Sequence, residues 1–175
     1  MRWLLLAILG YGCLVAETAL FRPGALALQV DAHWVRPDLL LALGLFVALF
    51  FDPTDVFIIG WVLGMASDLV SIAGRLGLKA LLFCIILFLV SHVRQVVPRT
   101  RILGQSAACL VTVFAVHLVW YTTTRLLAGG ELWLLRSAEE SILDALYTAA
   151  LTPYLFWLLL WLREPLRASV GGERD

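Results

Sequence analysis

Charge is scarce in this sequence. Only 15% of its 175 residues are Asp, Glu, Lys or Arg, against about 25% in an ordinary soluble domain. The 13 acidic residues balance the 13 basic ones, so there is no basic field to gather nucleic acid. Cysteine is scarce as well. Cys13, Cys84 and Cys109 lie far apart in separate apolar runs. Without a CxxC or a Cys/His cluster they form neither a redox pair nor a metal site, and they read as buried spectator thiols. Catalytic signatures are missing too. His92 and His117 fall in different helices with no HExxH or His/carboxylate spacing, which argues against a catalytic metal. The many serines and threonines include no GxSxG and no evident base partner. No cofactor is implied.

What the chain has is apolar surface. Its residues are 62% hydrophobic with a mean hydropathy of +0.93, where soluble domains run at roughly 45–50% apolar. A chain of this length would leave much of that excess in water if it had one small core. Lipid is therefore the expected solvent. Met1-Arg2 and the run that follows have the outline of a signal peptide. No Ala-x-Ala site follows, however, and Gly12-Cys13 lacks a good upstream lipobox leucine, so the run reads as a retained membrane helix.

A spanning helix needs about 20 apolar residues, since each rises about 1.5 Å through a core about 30 Å thick. Six runs qualify, approximately 3–20, 35–51, 54–72, 77–97, 103–128 and 138–162. The second has a clear apolar run only over 39–51, so it either starts earlier, near Trp34, or stops short of the full bilayer. Asp52-Pro53 signals the start of the third, with an acid at the N-cap and proline in the first turn. Glu131–Ser137 reads as a short amphipathic stretch with Trp133 at the interface, and Ser137-Ala138-Glu139-Glu140 as a capping box opening the sixth. Short connections leave no room for a separate soluble domain. The patterning is too coarse for a β-barrel, and there is no internal repeat. The expectation is a single all-α polytopic domain. With both termini in the cytoplasm, the positive-inside rule is met by one residue only, seven of the 13 basic residues against six; the Arg94–Arg101 loop and the C-terminal tail favour that orientation.

Carboxylates inside such helices each cost about 2.5–3.5 kcal/mol by insertion scales and need a reason. Asp68 shares a face with Gly60 and Gly64, a small-xxx-small pattern that lets another helix approach closely. It reads as capping that packed seam, by a hydrogen bond to a neighbouring helix or by pairing with Arg75 or Lys79. The alternative is an ion or proton relay. Asp144, with Tyr147 nearby, reads as a carboxylate near a helix N-terminus, stabilised by the macrodipole; the alternative is a ligand group in a pocket at the membrane edge. Pro153 is expected to kink the sixth helix or free a carbonyl there. Glu17 is placed to reach interfacial water. Trp3, Trp34, Trp133 and Trp161 fall near membrane boundaries, as belt residues do, whereas Trp61 and Trp120 are expected to be more interior.

The order of short motifs then carries a resemblance. "RPDLLLALGLFVALF" is followed by "GWVLGMASDLVSIAGRLGLKAL", and the chain's last run begins "LDALYTAALTPYLFWLLLWL". Pro37, Asp38, Gly60, Gly64, Asp68, Leu69 and Gly77, and more loosely Tyr147 and Pro153, match the pattern of the bacterial rod-shape-determining MreD family. The resemblance implies a fold similar to the six-helix substrate-binding subunits of energy-coupling-factor vitamin transporters. It also implies a place in the inner-membrane machinery of cell elongation and peptidoglycan synthesis. The implied partner is MreC, and through it the MreB filament, RodA and RodA's partner transpeptidase; a homodimer within a complex with MreC is compatible with it.

Both lines converge on a non-catalytic membrane platform, and the resemblance implies that it binds MreC and regulates its conformation or position. The alternative is a vitamin-like small-molecule carrier subunit with a polar pocket around Asp38, Asp68 or Asp144. An intramembrane enzyme would need a convergent nucleophile and base, and neither has a signature here.

Overall fold

A computed structural model describes residues 2–19, 28–30, 33–70, 77–93, 102–127 and 133–168. Six helices account for nearly all of them: α1 (Arg2–Ala19), α2 (Leu39–Phe50), α3 (Pro53–Val70), α4 (Leu78–Val93), α5 (Ile102–Leu127) and α6 (Trp133–Ala168). By length and composition α3, α5 and α6 are long and apolar enough to cross a membrane, and α1, α2 and α4 hold shorter apolar stretches. The protein is an all-α membrane protein. One element departs from that description. Between α1 and α2, β1 (Leu28–Val30) pairs antiparallel with β2 (His33–Val35), with Leu28 opposite Val35. Their alternating Leu-Gln-Val and His-Trp-Val patterns suit a pleated ribbon.

The short second helix is the centre of the bundle. Every residue from Leu40 to Leu49 is buried, because α1, α3, α4, α5 and α6 all pack against α2. A helix that is apolar all round belongs inside other helices. Twelve residues give about 18 Å of helix, so α2 does stop short of a bilayer's thickness. It begins at Leu39 rather than near residue 35, because His33–Val35 is strand and Asp38 is the N-cap. At its other end Phe51 N–H donates to Val47 O at 2.9 Å, and α3 starts at Pro53.

Two close helix pairs flank this core, α3 with α4 and α5 with α6. The glycine face of α3 sits on α4. A Cβ on Gly60 would meet Leu87, Phe83 and Cys84 of α4 at 3.4–3.6 Å, and one on Gly64 would lie 2.4 Å from Ala80 Cα. At Gly64 only glycine allows that approach. Farther along α2 from Asp38, Phe46 packs edge-on against Phe156, with centroids 5.4 Å apart.

Two expectations need correction here. α6 begins at Trp133, so Ser137 is inside the helix and is not its N-cap. Ser137 is buried and its hydroxyl accepts from Arg125 Nη1 at 3.3 Å. Glu140 pairs with the same guanidinium, so contacts with the last turn of α5 extend α6 backward past the expected boundary. Trp61 is 54% exposed on the outer face of α3, unlike Trp120, which is buried. The inward positions on α3 are taken by Val56, Ile59, Gly60, Leu63, Gly64, Ser67 and Asp68. α6 runs as α-helix through Pro153. The Ala73–Arg75 break, the Arg94–Arg101 loop, Gly129 to Glu131 and the tail from residue 169 lie outside the described residues.

Candidate functional site

The carboxylates of the interior, Asp38, Asp68 and Asp144, lie with His117, Thr148 and Thr152 around and beside the start of α2. The chain arrives there through Arg36-Pro37-Asp38, and Pro37 and Asp38 are both buried. Asp38 serves first as an N-cap: its Oδ1 accepts from Leu41 N–H at 2.8 Å and its carbonyl from Ala42 N–H at 3.1 Å. An N-cap carboxylate satisfies amides that have no partner within their own helix. A second one is satisfied from another helix, since Leu40 N–H donates to Glu17 Oε1 of α1 at 2.9 Å. Glu17 is half-buried, with one carboxylate oxygen turned to the start of α2.

Asp38 also ties α2 to α5 and α6. Its N–H donates to Thr148 Oγ1 at 3.1 Å, and its Oδ2 lies 3.1 Å from His117 Nε2. The other ring nitrogen of His117 is 3.4 Å from Asp144 Oδ2. Asp144 accepts from the Tyr121 hydroxyl at 2.7 Å and from Arg36 N–H at 3.2 Å. The Thr148 hydroxyl donates to Asp144 O at 2.7 Å and that of Thr152 to Thr148 O at 2.8 Å. The helix-terminus reading of Asp144 therefore fails. With α6 starting at Trp133, this carboxylate is about three turns inside the helix, and its partners are side chains and an amide from other elements.

Asp68 caps a neighbouring helix from across the glycine seam. Its Oδ2 accepts from Gly77 N–H at 2.9 Å and Ala80 N–H at 3.1 Å, and its Oδ1 from Lys79 N–H at 3.3 Å. These are the unpaired amides at the start of α4. Gly77 has a φ of 98°, a left-handed conformation that glycine adopts without the Cβ penalty, and this lets the chain turn its amides onto Asp68. The Lys79 side chain goes elsewhere: Nζ donates to Ser67 Oγ at 3.1 Å and stands 5.4 Å over the ring of Trp120.

Of the residues singled out in the sequence, Pro37, Asp38 and Asp144 meet in one cluster, while Gly60, Gly64, Asp68 and Gly77 build the α3–α4 seam beside it. Leu69 instead faces outward, 72% exposed. Tyr147 and Pro153 are half-buried along α6. Sequence reasoning missed His117, Tyr121, Thr148 and Thr152. A trace was available in the lone histidine of an apolar run, with a tyrosine one turn later, but nothing local paired either with Asp38 or Asp144.

Chemically the arrangement is a knot. Acceptors that would be costly alone in lipid are engaged by helix-end amides, hydroxyls and an imidazole. Among the described residues no group of three or more His, Cys, Asp or Glu is placed to hold a metal ion. Tyr121→Phe removes one donor from buried Asp144 and is expected to lower stability by about 1–2 kcal/mol, read as a lower midpoint of thermal unfolding in detergent.

The family model described as rod shape-determining protein MreD matches residues 1–162. No curated protein and no solved structure matches the chain. The family match covers all six helices into the last turns of α6 and takes in both the glycine seam and the polar knot, so this chain belongs to the MreD family of rod shape-determining proteins.

Proposed function

We propose that the protein is a non-catalytic platform of the bacterial inner membrane, with both termini in the cytoplasm, that binds MreC and regulates its conformation or position. Family membership places it in rod shape determination. Through MreC it would act on the MreB filament, RodA and RodA's partner transpeptidase in peptidoglycan synthesis. The observation that carries this reading is the engagement of the interior carboxylates: Asp38, Asp68 and Asp144 each accept from donors of the chain's own helices. A carrier would need such groups turned toward a solute. A platform needs them to brace the helices and offers its outer faces to a partner.

Those faces are apolar. Leu4, Ile8 and Tyr11 on α1, Phe57 and Trp61 on α3, and Tyr154 and Trp157 on α6 are all exposed. They suit lipid and a partner transmembrane helix equally, since helix association in membranes rests on packing.

The test uses small residues that point outward. Ala7 and Gly12 on α1, Ala107 on α5 and Ala150 on α6 are exposed, and a Cβ on Gly12 meets nothing within 4 Å. Substituting each with Trp is expected to leave the chain folded. Co-purification with full-length MreC should be lost for the variants on one face and kept for those on the others. Failure of the unsubstituted chain to co-purify with MreC would overturn the proposal.

A further inference from the structure

The outer helices present apolar belts of two heights. Among the described residues, the exposed apolar side chains of α3 run from Phe57 to Val70 and those of α4 from Leu81 to Val93. At about 1.5 Å of rise per residue these belts are about 18–20 Å tall. On α6 the exposed apolar side chains run from Ile142, just inside the exposed Arg136 and Glu139, to Trp161. That is about 28 Å on the same rise. The hydrocarbon core of a bilayer is about 30 Å thick, so the α6 face matches it and the α3–α4 face falls about 10 Å short.

The short belt belongs to three helices in register. Leu87 Cδ1 would lie 2.6 Å from a Cβ on Gly44 and 3.4 Å from one on Gly60, which sets the middles of α2, α3 and α4 at one level. From that level five to eight residues lead to Asp38, Asp68 and Lys79 in one direction and to Asp52, Asp55 and His92 in the other. A belt too short for its bilayer is met by thinning of the lipid, by flanking side chains that reach outward, or by self-association; tilting only shortens it further. Reaching outward is closed to the first set. Lys79 Nζ is turned onto Ser67 Oγ and the Trp120 ring, Asp68 holds the first amides of α4, and Asp38 holds Leu41 N–H. Close packing of a second copy calls for small residues facing outward. On this flank Gly60, Gly64 and Ala80 are enclosed in the α3–α4 seam, and the outward positions carry Phe57, Trp61, Leu81, Ile85 and Leu89.

We propose that the α3–α4 flank is a lipid-binding surface that holds locally thinned phospholipid, while the α6 flank sits in bilayer of ordinary thickness. The partner is the acyl-chain layer itself, drawn in until its headgroups reach the levels of Lys79 and His92. One bundle thus imposes two thicknesses on the membrane around it, and lipids with short acyl chains meet the thin side at the least cost. The surface does not depend on MreC and is tested on the chain alone.

The experiment is spin-label depth measurement on the full chain in dioleoylphosphatidylcholine vesicles. Single labels go on exposed positions through Leu81→Cys and Val93→Cys on α4, Phe57→Cys and Val70→Cys on α3, and Ile142→Cys and Trp161→Cys on α6. The unsubstituted chain, whose three cysteines are buried, is the unlabelled control. Collision with a water-soluble nickel complex reports closeness to the headgroups, and collision with oxygen reports immersion in acyl chains. The α4 and α3 labels are expected to meet nickel within about twofold of the α6 labels, although the α6 pair is about 10 Å farther apart along its helix. In a bilayer of even thickness about 5–6 Å of acyl chain would cover each α4 and α3 label. Oxygen-dominated collision at those positions, with nickel excluded, therefore overturns the proposal. Exclusion of both reagents would mean that a second copy covers the flank, and overturns it equally. The α3 and α4 pairs report independently, so either one decides if a variant of the other does not fold.

Discussion

Gly64→Ala is expected to open the α3–α4 seam and lower stability by about 3 kcal/mol or more. The added Cβ would lie 2.4 Å from Ala80 Cα, 3.0 Å from Ala80 N and 3.1 Å from Lys79 O. All three atoms are backbone, so no side chain can rotate away and the helices themselves must separate. The other glycines set a graded control. At Gly44 the nearest atom is Leu87 Cδ1 at 2.6 Å, the tip of a side chain that can shift, so Gly44→Ala should cost less. Gly60→Ala makes only contacts of 3.4 Å and beyond, and its gain in helix propensity of about 0.8–1 kcal/mol should offset them. The local readout is Cys84, a buried residue whose Cα is 3.6 Å from the Cβ position of Gly60. Its alkylation, followed by mass spectrometry, should accelerate in Gly64→Ala and stay slow in Gly60→Ala. Slow alkylation in both would mean that the seam is not packed as described.

Asp68→Ala should be comparably severe, at about 3–5 kcal/mol. The substitution leaves the amides of Gly77, Lys79 and Ala80 without the acceptor they share. Each is a helix-start N–H, and an orphaned buried donor costs about 1–3 kcal/mol. Asp68→Asn keeps one oxygen acceptor and should lose less, whereas Asp68→Glu would push the carboxylate into the close seam. Thermal unfolding in detergent measures all three, and hydrogen exchange should show the loss localised to the first turn of α4. If Asp68→Asn were as stable as the unsubstituted protein, the carboxylate's second oxygen and its charge would contribute nothing.

These two sites show what the sequence could disclose. The i, i+4, i+8 spacing of Gly60, Gly64 and Asp68 is a property of one helix, so its face could be read without knowing what it met. Asp68 could be placed on a packed seam, but its donors could not be named, because the unpaired amides of α4 exist only once Gly77 has turned the chain. The six helices followed from apolar runs. Their ends followed less well: Ser137 carried the local pattern of a cap, and Arg125 from another helix overrode it. That error moved the start of α6 and with it the reading of Asp144. The short run at 39–51 is puzzling as an independent span and simple as a helix enclosed by five others, a fact about neighbours that hydropathy does not contain. The knot was the least legible feature. Asp38, His117, Asp144 and Thr148 come from three separate parts of the chain, and each one looks like an isolated polar residue until the bundle closes.

The severity of losing these contacts follows from their setting. In water a displaced amide or carboxylate finds solvent, but within lipid the alternative partners must come from the protein itself. Interior polar groups can therefore hold a helix bundle together where apolar contact with lipid is nearly as favourable as apolar contact with another helix. Such a bundle can present an apolar exterior and still keep one arrangement of its helices, as a docking platform requires.

Native mass spectrometry of the chain co-expressed with MreC and released from nanodiscs bears most directly on the platform function. The expected spectrum contains a complex of the two polypeptides, with lipid adducts and no stoichiometric solute. A spectrum showing the chain without MreC, carrying one small molecule per copy, would mean that the interior carboxylates serve a ligand, and the platform reading would be wrong.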